Sequence, residues 1–271
     1  MKFSSLFSHR EKASEKELWA LIEVQSGLVR GSLVVFEEGQ TSRIAYTVTH
    51  PLVHKTEVNS AYVTKSMLHG VEEVSDVLSR IGLHKLRESG FFENIKGVQY
   101  ILSSPWVISE TKTIKIVYPK PTLVDEMSVN DILDSERKSM EEGLKHLDAV
   151  SIEQKIFEVK LNGYSVTNYE GKLADELSVS CAVSVSSKKI LERISRAVRK
   201  HLHVGHESHH SALLLEYAGL RNILHGHHEY MVIHAHSELT DVVIIKGGMC
   251  VFISSFPFGV ATVVRKIAKA T

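Results

Sequence analysis

The chain is poor in cysteine. Only Cys181 and Cys250 occur in 271 residues, too few for a disulfide framework, so both read as buried thiols of a reducing compartment. It also lacks net charge. Its 32 basic side chains balance 32 acidic ones, which argues against a general electrostatic nucleic-acid binder. No run approaches the roughly 18 apolar residues of a membrane-spanning helix. Lys2, Arg10, Lys12 and Lys16 stand near the N-terminus without a long apolar stretch, so a secretory signal is not expected. Phe3, Leu6 and Phe7 beside these cations could touch a membrane surface. A polar tail over residues 1–16 is the plainer expectation.

What is present is an ordinary globular composition, 43% apolar and 24% charged. That is enough for a core and too hydrophobic for disorder. Segments Leu18 to Val24, Leu28 to Phe36 and Arg43 to Val48 read as strands joined by short polar turns, hence an antiparallel meander ending at Pro51. Val63, Met67, Val71, Val74, Leu78 and Ile81 recur at spacings of three and four, which predicts a helix over 60–81. A short helix over 84–88 follows. Strands over 98–102 and 113–117 are linked by Ser103-Ser104-Pro105-Trp106. Pro119 and Pro121 suggest a boundary. Ser128 suits an N-cap for a helix from Val129 to Leu147, and a strand is expected over 152–164.

From Leu177 to Val185 apolar residues alternate with Ser178, Ser180, Ala182, Ser184 and Ser186. This period of two predicts a strand with one buried face and one small, wet face. A helix over 188–201 closes a helix, strand, strand, helix block. The last block reads as a helix over 213–224, strands over 231–234, 239–245 and 249–256 with a Gly247-Gly248 hairpin, then a helix from Val260 to Ala268.

Two turns share a pattern. One follows Ile22-Glu23-Val24 as Gln25-Ser26-Gly27. The other runs from His234 to Asp241 through Ala235-His236-Ser237-Glu238-Leu239-Thr240. Turns of small residues can wrap a phosphate with backbone N–H groups, and an acidic residue at the strand end can hold Mg²⁺ through water. With the order of segments, this resembles the actin-like ATPase superfamily in its bacterial FtsA and PilM branch. The resemblance implies an α/β fold: an actin-like (ribonuclease-H-like) mixed sheet with helices, interrupted by a small α+β inserted domain. It implies a first subdomain over 17–122, the insertion over 123–203 and the start of a second subdomain over 204–271.

The same resemblance implies ATP and Mg as cofactors, with Glu23, Ser26, Gly27, Thr240 and Asp241 as nucleotide contacts. No residue stands out as catalytic. Both motifs are eroded. Gln25 replaces the family's glycine, His234 replaces its leading Asp, and Glu238 sets a carboxylate where a phosphate would sit. The preferred function is therefore a cytoplasmic scaffold of the division or pilus-assembly type. It would act through protein contacts at the inner face of the membrane and could self-associate, with nucleotide binding weak or lost. The alternative is an active member whose assembly follows Mg-ATP.

Ten of sixteen histidines lie between His201 and His236. His206, His209, His210, His225, His227 and His228 are candidate metal ligands, and a third reading is a metal-responsive module. No cysteine accompanies them, and a solvated tract titrating between about pH 5 and 7 is the simpler expectation. The serine face of residues 178–186 suggests a surface for a partner strand.

Overall fold

The computed structural model describes residues 16–52, 59–224 and 226–270. The expected tail over 1–16 lies outside them except for Lys16, which opens the first strand. Strands β1 (Lys16–Val24), β2 (Leu28–Glu37) and β3 (Arg43–Pro51) form the expected meander. Helix α1 (Ser60–Val77) starts at Asn59, whose side chain accepts from the Tyr62 N–H, and runs through one π-helical turn into α2 (Leu83–Glu88). Strand β4 (Ile95–Leu102) pairs parallel with β1.

Strand β5 (Ile108–Val124) is longer than expected. The prolines at 119 and 121 do not end it. They sit where its register against the neighbouring strand shifts between Val117 and Thr122, a bulge that spares the ladder from the missing N–H groups. Helix α3 (Glu126–Gly143) is capped by Asp125, not by Ser128. The Asp125 carboxylate accepts from both the Ser128 N–H and its hydroxyl. Strands β6 (Ala149–Leu161), β7 (Tyr164–Val166) and β8 (Lys172–Ser187) complete a sheet of order β5-β8-β6-β7.

Strand β8 is interior to that sheet, so it offers no edge. Its serine face is not wet either. Ser178, Ser184 and Ser186 are buried, Ser184 bonds Ser109, and Ser186 donates to the Trp106 carbonyl. The alternation is real, but both faces are covered. The expected partner surface is thus interior, and its buried hydroxyls find hydrogen-bond partners at Ser109 and the Trp106 carbonyl.

Helix α4 (Lys188–Arg199) returns to the first sheet, where Ile194 and Val198 join the core beneath α1. Strand β9 (His206–Ser211) pairs parallel with β4 and completes a sheet of order β3-β2-β1-β4-β9. Helix α5 (Ala212–Ile223) precedes a third sheet of β10 (Tyr230–Ala235), β11 (Thr240–Lys246) and β12 (Met249–Phe256), and α6 (Val260–Ala270) follows. The fold is mixed α/β. Among the described residues no helix is long and apolar enough to cross a membrane.

Candidate functional site

The β1–β2 turn and the β10–β11 turn meet. The Glu238 backbone N–H donates to Ser26 Oγ at 3.1 Å, and Ser26 is fully buried. Gly27 lies so close to Ser237 that a Cβ on it would stand 2.4 Å from the Ser237 Cβ. Behind them, Val260 and Ala261 donate backbone N–H groups to the carbonyls of His236 and Ser237 at 3.0 and 2.8 Å. A Cβ on Gly259 would fall 2.3 Å from the Ser237 carbonyl oxygen. Trp106 closes the other side, its Nε1–H donating to the Gln25 carbonyl at 3.2 Å.

The five expected nucleotide contacts are only partly brought together. Ser26 and Gly27 sit at the junction. Glu23 bonds Gln25 and pairs with Arg30 at 3.1 Å. Thr240 donates to the Phe258 carbonyl at 2.6 Å, while Asp241 points to the opposite face of β11 and is buried. Asp241 accepts from His236 Nε2 at 3.0 Å and from Ser255 Oγ at 2.5 Å, and Ser255 meets Ser104 at 2.7 Å. Burial pushes the Asp241 carboxyl up, but these donors outweigh it and hold the group below the usual carboxylate range.

His236 stacks on His234 with centroids 3.9 Å apart, and Glu216 accepts from His234 Nδ1 at 2.8 Å. That bond raises the His234 basicity despite partial burial. The buried His236 Nδ1 has no hydrogen-bond partner. Sequence reasoning missed this chain from Glu216 to Ser104. Its signal was faint: two histidines on one strand end and an Asp five residues on. Glu238, expected to repel a phosphate, is held by Arg265 through two hydrogen bonds at 2.8 and 2.5 Å.

The candidate metal ligands do not converge. Among the described residues no group of three or more His, Cys, Asp or Glu side chains could hold an ion. His206, His209 and His210 lie on β9, whereas His227 and His228 lie before β10. His225 is outside the described residues. His209 stacks on Tyr100 at 4.8 Å, and burial lowers its basicity. His210 bonds Ser208 at 3.1 Å. The expected solvated tract is in its first half a strand.

Beside the turns a cleft of about 730 Å³ opens between the three sheets. Val63, Trp106, Ile108, Leu147, Ile190 and Leu239 line it, with Arg265 and Glu238 at one wall.

No family model and no curated protein sequence matches the chain. Among solved structures it is similar to the PilM-PilN type IV pilus biogenesis complex, at 15% identity and a TM-score of 0.60 over 94% of this chain and 65% of that one. It also matches a Bacteroides thetaiotaomicron protein with actin-like ATPase fold and unknown function, at 13% identity and a TM-score of 0.41 over 97% and 78% of the two chains. A third match is the Aquifex aeolicus PPX-GPPA enzyme, at 13% identity and a TM-score of 0.38 over 93% and 56%. The chain thus spans less than two thirds of the length of the PilM structure's chain. This chain has the actin-like ATPase fold, in a form similar to that of PilM.

Proposed function

We propose that the chain is a protein-binding scaffold for a membrane-associated assembly of the pilus or division type, working from the cytoplasmic side, and that its nucleotide site is closed. The observation that carries this reading is the direct contact between the two turns. A triphosphate needs inward backbone N–H groups across an open gap. Here the Glu238 N–H is already bonded to Ser26, and Gly27 and Ser237 fill the gap. A magnesium ion needs free oxygen ligands. Glu23 is engaged by Arg30 and Gln25, and Asp241 by His236 and Ser255. These residues do not fit a magnesium-bound triphosphate.

The apolar cleft supports the scaffold half of the proposal. The similar PilM structure is a complex with PilN, and a cleft walled by Trp106, Ile108, Leu147 and Ile190 suits an extended apolar segment of a partner protein. Isothermal titration of the chain with Mg-ATP up to about 1 mM is expected to show no binding. A micromolar dissociation constant would overturn the proposal and restore the ATP-controlled alternative.

A further inference from the structure

Helix α4 carries two faces of opposite character. Leu191, Ile194, Ala197 and Val198 are buried in the main core. On the other side Lys188, Lys189, Arg193, Arg196 and Arg199 of the helix and Lys200 at its end are exposed, with Glu192 as the one exposed anion of the helix. The chain as a whole is neutral, so this excess of positive charge is local. Lys189, Arg193, Arg196 and Lys200 recur at spacings of four, three and four, a straight stripe about 16 Å long.

Only part of this charge is met within the molecule. Arg199 Nε donates to Glu207 at 2.9 Å, and Lys200 pairs with Glu72 of α1. Among the described residues no carboxylate pairs with Lys188, Lys189, Arg193 or Arg196. A face of lysine and arginine is stable in water and needs no apolar cover. Burying these cations takes an anionic surface to meet them. Arg193 and Arg196 also border a groove of about 150 Å³ between α1 and α4, where Leu68 and Ala197 supply apolar surface beside the two guanidinium groups. Cations next to an apolar floor suit a group with a phosphate at one end and carbon at the other.

We propose that α4 binds the surface of an anionic phospholipid bilayer. Arg193 and Arg196 take a headgroup phosphate at the groove, because the planar guanidinium fork matches phosphate oxygens, and the glycerol carbons rest on Leu68 and Ala197. Lys188 and Lys189 reach neighbouring headgroups as point charges. Clusters of cations on an amphipathic helix give this kind of attachment. Helix α3, where acidic residues outnumber cations, is repelled by the same plane, so the field also sets an orientation. Nucleic acid suits the patch less, since the chain is neutral overall and a duplex backbone makes no use of the apolar floor. This contact goes beyond the scaffold reading and needs neither the closed turns nor a protein partner.

Co-sedimentation of the chain with vesicles tests it. Vesicles of phosphatidylcholine with about one third phosphatidylglycerol should bind the chain, and phosphatidylcholine alone should not. Raising sodium chloride from about 0.1 to about 0.5 M should release it. Arg193→Glu with Arg196→Glu should weaken binding roughly tenfold or more, with an unchanged melting curve because both sites are exposed. Lys120→Glu with Lys172→Glu changes the net charge equally, at exposed sites of the four-stranded sheet, and should leave binding near that of the natural chain. No binding to the anionic vesicles, equal binding to neutral ones, equal loss in both double variants, or tighter binding to duplex DNA or to polyglutamate than to the vesicles would each overturn the proposal.

Discussion

Gly27 allows the turn-to-turn contact by having no side chain. Its replacement by Ala drives a methyl group into Ser237, 2.4 Å away, and overpacking of this kind costs about 1–3 kcal/mol. Urea denaturation should show that loss for Gly27→Ala, and Ser237→Gly in the same chain should recover most of it, because the two sites are coupled. An unchanged midpoint for Gly27→Ala would mean that the turns stand apart. The stacked histidines make a second claim at this scale. Glu216 raises His234 above its ordinary value of 6.5. A raised folded value means that the pair stabilises fully below about pH 6.5 and fades as pH rises through it. The urea midpoint should therefore carry a component that falls as pH rises above about 6.5, and Glu216→Gln should remove it. If natural and variant chains fall alike, another group is responsible. The site was half legible in the sequence. Small polar residues between apolar strands marked both turns, but that Asp241 turns inward to His236 and Ser255 depends on register, which no local pattern carries.

At the scale of elements, the legible parts were those with a clean period. The α1 stripe follows from spacing alone, and the β12 bounds from the Gly247-Gly248 hairpin. Strand β9 was not legible, because His206–Ser211 has no apolar alternation and owes its place to the ladder with β4 and to His209 stacking on Tyr100. Strand β5 runs past the boundary that Pro119 and Pro121 suggest, because a bulge accommodates both prolines. Helix α4 follows the four-stranded sheet in the chain but packs with α1, and its Ile194 is fully buried there. Ile194→Ala should cost about 2–5 kcal/mol by chemical denaturation. A loss under about 1 kcal/mol would place α4 outside the main core.

Across the whole molecule, the two paired turns join the five-stranded sheet to the three-stranded one at the place where the fold's phosphate turns are expected. There Ser26 accepts the Glu238 N–H, Gly27 packs against Ser237, and Arg265 neutralises Glu238 beside them. The proposed function rests on two features of one arrangement: the turns contact each other directly, and an apolar cleft opens beside them. Amide hydrogen exchange at Glu238 tests the lock most directly, since its N–H bonds across the junction to Ser26. The account predicts slow exchange in the protein alone and the same rates with Mg-ATP added. Fast exchange that slows when Mg-ATP is added would contradict it.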